Sequence, residues 1–200
     1  MSPRRAANAP PREPGLTRDS VLRAALELAD RDGLDGLTMR RLGTFLGRSP
    51  MGLYYYVADR DDLLKGIYDL LNAEAEAPSA EDWHGYAEQC AWGLLHLARA
   101  HPKVVPSLIA SPIPAASSPI VQYTRGLVER LVAAGLSPDV ASLAVATVWN
   151  FTTGAIVAQL MGRPDLGTGT VDPEAEFRVG LEVVLAGIGV RLPSGQAAGD

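Results

Sequence analysis

Three histidines, His84, His96 and His101, and one cysteine, Cys90, are the side chains in this chain best suited to hold a metal or attack a substrate. The histidines are spaced by twelve and five residues, and none forms an HExxH pair. A lone cysteine gives no zinc ribbon. Glu74 and Glu76, and likewise Glu174 and Glu176, stand two apart, a spacing that on a helix turns the carboxylates away from each other and makes poor acid–base partners. Neither GxxxxGK[ST] nor GxGxxG after a strand occurs. The expectation is a protein that is not an enzyme and needs no cofactor and no metal. The arginines say more. Residues 1–60 hold ten Lys/Arg against seven Asp/Glu, and residues 61–200 hold eight against sixteen, so a net charge of -5 hides a basic head on an acidic body. Screening limits phosphate attraction to about 8 Å, so such a chain suits nucleic acid held at one end and not one coated all over.

The elements that would position these arginines read as all-α. No β-branched run alternates between turn signals. Thr17 is a plausible N-cap for a first helix, with Val21, Leu22, Ala25, Leu28 and Ala29 on one face and Gly33 closing it. Thr38 caps a short helix from Met39 to Leu46, Gly47 breaks it, and Ser49 caps a third that starts on Pro50, where proline loses no helical bond. That third helix is expected to run to Val57. A longer helix over 61–77 follows, and Pro78-Ser79 marks the border to a body of helices near 81–100, 103–110, 118–134, 138–161 and 173–191. The expected organisation is a disordered basic arm at 1–16, a DNA-binding domain at 17–77, a ligand-binding and dimerisation domain at 78–192 and a disordered tail at 193–200. A single cysteine excludes a disulfide framework within the chain, and the N-terminus lacks the apolar stretch of a secretory signal. The reading is cytoplasmic.

The order cap, helix, glycine, cap, helix between Thr38 and Val57 is the mark of a helix-turn-helix, in which the second helix offers its N-terminal residues to the DNA major groove. Leu37-Thr38-Met39-Arg40-Arg41-Leu42, Leu46-Gly47, Leu53-Tyr54-Tyr55-Tyr56-Val57 and Asp62-Leu63-Leu64 resemble the DNA-binding domain of the tetracycline-repressor (TetR) family over about residues 17–70. The resemblance implies that Thr38 and Tyr54 hold phosphates and that Arg40 reaches a base edge. Arg48, Ser49, Met51, Gly52 and Tyr55 lie on or beside the recognition helix, and Arg60 takes the place of a phosphate-binding lysine. Tyr56 stands for a frequent histidine, and Gly52 leaves a bare spot, so no operator sequence carries over. Consecutive helical positions point about 100° apart, so at least one of the three tyrosines should be at the surface.

Val140–Met161 contains 22 residues without a charge, long enough to cross a membrane. Its Ser, Thr, Asn and Gln, and the missing basic flank, favour a helix packed on its own domain on one side and on a partner on the other. The last helix adds Phe177, Leu181, Val184, Leu185 and Ile188. The resemblance implies that two such helices from each of two subunits form a four-helix bundle, giving a homodimer on a near-palindromic operator. Val104–Thr124 is also uncharged but broken by Pro106, Pro112, Pro114 and Pro119. With Trp92, His96, Tyr123, Trp149, Asn150 and Thr153 it could line a pocket for an apolar or amphipathic effector. The leading expectation is a repressor released from double-stranded DNA by a small molecule. The alternative is a helix-turn-helix regulator governed by a protein partner.

Overall fold

The computed structural model describes residues 15–110, 119–162 and 172–193. The tail beyond Pro193, most of the expected arm, Pro112, Pro114 and the 163–171 stretch lie outside them. The described residues fold into helices without a strand: α1 (Arg18–Asp32), α2 (Met39–Leu46), α3 (Pro50–Leu53), α4 (Arg60–Glu74), α5 (Trp83–Ala100), α6 (Val105–Ile109), α7 (Pro119–Ala133), α8 (Pro138–Met161) and α9 (Pro173–Gly189). A 3-10 turn at Leu34–Gly36 links α1 to α2.

Local chemistry sets most of these boundaries. Thr17 and Ser20 form a reciprocal capping box at the start of α1. Thr38, Ser49, Asp59, Asp82, Ser137 and Asp172 each accept a backbone N–H from the first turn of the helix that follows. α3 is shorter than its sequence suggests. The N–H groups of both Tyr56 and Val57 donate to Leu53 O, and Arg18 Nη1 donates to Tyr56 O at 2.6 Å, so residues 54–56 close into a turn. Leu16, read as part of the arm, packs against the core.

In the N-terminal half α1 packs on α2 and α4. Val21, Ala25, Leu28, Leu37, Leu42, Leu53, Leu63 and Ile67 are fully buried there, each large aliphatic contributing about 1.5–3 kcal/mol. In the C-terminal half α8 lies among α5, α7 and α9. Trp92, Phe151 and Phe177 interlock across α5, α8 and α9, with Trp92 edge-on to Phe177 at 4.7 Å and Phe151 stacked on it at 5.5 Å. α8 is long and apolar enough to cross a membrane by length and composition, yet it is not buried all round. Leu143, Thr147, Asn150, Gly154 and Val157 recur at four- and three-residue spacing, and all are exposed. Val179, Val183 and Ala186 do the same on α9, and Val190 just past its end continues the stripe.

Candidate DNA-binding site and effector cavities

α2 and α3 meet at a turn that depends on two glycines. Gly47 adopts the left-handed conformation, φ 63° and ψ 32°, which side-chain-bearing residues avoid. Gly43 lies inside α2, and a Cβ there would come within 2.7 Å of Arg48 O and 3.3 Å of Pro50 N. Its bare backbone lets α3 sit against α2. Sequence reading fixed on Gly47 and missed Gly43, although a glycine inside a short helix is itself a signal of close approach. Leu42 and Leu53 are buried beneath this turn, which turns the other side of α3 outward. Met51 is 79% exposed, Tyr54 48% and Tyr55 88%, and Tyr56 is half-buried with its ring edge-on to Tyr55. Thr38, Arg40, Arg48, Ser49, Gly52 and Arg60 are exposed on the same half of the chain. All nine residues expected at a DNA surface are thus open to solvent.

The arginines of this half divide sharply. Arg18 binds Asp62 through two bonds of 2.8 and 2.6 Å, Arg23 pairs with Asp19, Arg31 with Asp32, and Arg41 with Asp32 and Gly36 O. Arg40 and Arg48 have no side-chain partner among the described residues, and Arg60 spends one N–H on Leu34 O. So Arg40 and Arg41, adjacent in sequence, differ in role: Arg41 braces α2 and Arg40 is uncommitted. Arg18 and the Ala58 N–H hold the Asp62 carboxyl down at about 2, fixing the start of α4 to α1 and, through Tyr56 O, to the end of the recognition turn. Sequence gave no sign of this tie, since its partners lie 44 residues apart.

Among the described residues, four of the six expected to line a pocket divide between two cavities. Tyr123 and Trp149 line an inner cavity of about 60 Å³ between α5, α7 and α8, with Cys90, Leu94, Thr124 and Thr152. Burial pushes the Cys90 thiol up to about 12, so it behaves there as a small apolar wall. Trp92 and His96 line a separate cleft of about 450 Å³, where α4 passes into α5. Asn150 and Thr153 line neither. One helical step past Trp149 turns Asn150 onto the exposed stripe of α8, and the Thr153 hydroxyl donates to Trp149 O at 2.9 Å.

Among the described residues, His101 ties the two halves through polar contacts that sequence did not reveal. His101, after α5, lies between two carboxylates: Nδ1 is 2.9 Å from Asp30 of α1 and Nε2 is 2.9 Å from Glu74 at the end of α4. Its side chain is 12% exposed. Burial alone would disfavour the imidazolium, but Glu74 and Asp30 outweigh it, and the His101 pKa is raised. Lys103 adds a 2.6 Å bond to Arg31 O.

No protein-family model matches the chain. It is 39% identical over 93 residues to the HTH-type transcriptional repressor DrrR1 of Streptomyces coeruleorubidus, a match covering 45% of this chain and 34% of that one. To an HTH-type transcriptional regulator of Saccharopolyspora erythraea it is 30% identical over 166 residues, 82% of this chain and 70% of the relative. Among solved structures, BioQ with its natural double-stranded DNA operator superposes with a TM-score of 0.70 at 25% identity, over 88% of this chain and 100% of that one. The Streptomyces coelicolor TetR family protein ActR in complex with (S)-DNPA gives 0.71 at 24% identity, over 90% and 100%. With that regulator matched across most of both sequences and the same all-α fold carrying an open helix-turn-helix, the chain belongs to the TetR family of DNA-binding transcription regulators.

Proposed function

We propose that the chain is a homodimeric repressor that holds a near-palindromic operator and releases it when a small apolar or amphipathic molecule binds the body. Residues 17–77 act as the DNA-binding domain and 78–192 as the ligand-binding and dimerisation domain. The observation that carries this reading is the open side of α3 and the turn after it: Met51, Tyr54 and Tyr55 are held in water on the half of the chain where Arg40 and Arg48 have no side-chain partner among the described residues, which favours a partner surface. Met51, Gly52 and Tyr55 face the major groove, with Arg40 and Arg48 beside them. Thr38, Ser49 and Tyr54 hold phosphates. The Thr38 hydroxyl accepts Arg41 N–H and keeps its own O–H to donate. Arg60 keeps its remaining N–H groups for the backbone.

Dimerisation rests on the exposed uncharged stripes of α8 and α9. Leu143 is 68% exposed and Val183 66%, and pairing these stripes between two copies removes them from water. A two-fold pair sets two recognition helices about one DNA turn apart or a small multiple of it. The test is a gel shift on DNA flanking the coding sequence of this protein, repeated across a compound panel. Retarded DNA that a compound class frees supports the reading, and no retardation at low salt sinks it. The inner cavity favours a second reading. At about 60 Å³ it is well below the roughly 300–1,000 Å³ of drug-sized sites, as expected of a regulator that answers a protein partner. Retarded DNA that no compound frees would select it.

A further inference from the structure

The cleft where α4 passes into α5 has the volume of a ligand site, about 450 Å³, against roughly 300–1,000 Å³ for sites that take drug-sized molecules. Its wall chemistry is one-sided. Glu74 and Glu76 supply carboxylates, Gln89, Trp92, His96 and Leu97 line it from α5, and no lysine or arginine is among the described residues that line it. The C-terminal carbonyls of α4 add partial negative charge at the same end, on a half of the chain that is already acidic. The Trp92 and His96 rings stand 5.7 Å apart, tilted by 38°, and Phe177 pins Trp92 from behind. Gln89 Oε1 accepts the N–H groups of Ser79 and Ala80, which fixes the linker side of the cleft. An anion would meet both carboxylates, and a neutral apolar molecule would strip water from them without return. A cation satisfies the carboxylates and the aromatic faces together.

We propose that this junction cleft binds an amphipathic organic cation, a quaternary or protonated centre carried on an apolar body. It rests on the repressor reading only in that a small molecule acts on this chain, and it places that molecule at the junction of α4 and α5. The position has a consequence for control. Glu74 is also the acceptor for His101 Nε2, so a cation drawn to Glu74 competes with the tie between α4, α1 and the body.

The experiment uses the full chain with tetraphenylphosphonium and tetraphenylborate, ions of matched size and shape and opposite charge, followed by equilibrium dialysis and tryptophan fluorescence. The cation is expected to bind once per chain and the anion at least tenfold more weakly. Glu76→Gln and His96→Ala, at two exposed positions of the cleft, are each expected to weaken the cation by about fivefold. Val148→Leu, which narrows the inner cavity, should leave cation binding within about twofold of the parent. Equal binding of the two ions, no binding of either, or loss through Val148→Leu with Glu76→Gln silent would overturn the proposal. A gel shift of the ligand-free parent is the separate readout of repression: its failure beside intact cation binding would overturn the repressor reading and spare the cleft.

Discussion

Arg40 and Arg60 are both exposed cations on the DNA-binding half, but their surroundings assign them different work. Arg40 is exposed on α2 and has no side-chain partner among the described residues, so Arg40→Ala should cost specific binding about 1–3 kcal/mol, a bidentate base contact. Arg60 shares itself with Leu34 O, and its loss should weaken all sequences alike and flatten the salt dependence. Anisotropy titrations on specific and scrambled duplexes at several salt concentrations separate the two, and equal loss on both duplexes from Arg40→Ala would refute its role. His101 gives a pH signature. Its pKa is raised above 6.5 in the folded chain, so its stabilisation is complete below 6.5 and fades as pH rises through the folded value. Thermal unfolding of the parent and His101→Asn between about pH 5.5 and 8.5 should therefore show the largest gap at the acid end; a gap that grows towards alkaline pH would contradict the double carboxylate clasp. Asp62 has the opposite sign: held at about 2, it stabilises above its ordinary value of 3.8 and loses that contribution as pH falls towards 2.

At the scale of elements, helix ends were plain in the sequence because caps and breakers act locally. Thr17, Thr38, Ser49, Ser137 and Asp172 all cap as their residue types imply. What local chemistry does not encode is which distant groups meet. The early end of α3 depends on Arg18, and the division of Trp92 and His96 from Tyr123 and Trp149 between two cavities depends on how α5 packs on α7 and α8. Trp92 and Trp149 look equivalent in a sequence and face different spaces in the fold. Gly43 shows how an element can be tested. Gly43→Ala would force a Cβ against the carbonyl of Arg48, so α2 and α3 must separate, at a cost of about 1–3 kcal/mol. A thermal melt should show the loss, and a variant as stable as the parent would mean that the turn gives way freely.

For the molecule as a whole, the uncharged run Val140–Met161 was legible as a helix packed on its own domain on one side, though its sequence did not say which stripe faces outward. The fold does: Leu143, Thr147, Asn150, Gly154 and Val157 are open, while Ala141, Val145, Val148, Thr152 and Ile156 are buried against the same subunit. Leu143→Asp combined with Val183→Asp should yield monomers by sedimentation, since two like charges from each copy would meet in a water-poor interface. The same variant should bind DNA far more weakly, because each half-site then binds alone.

The most direct measurement is the stoichiometry of the parent chain on a duplex recovered by selection from genomic DNA, read by sedimentation with labelled DNA. A homodimeric repressor places two chains on each two-fold symmetric site, with affinity falling steeply as salt rises and falling again on Arg40→Ala. A chain that stays monomeric and leaves duplex DNA unbound at low salt would contradict it.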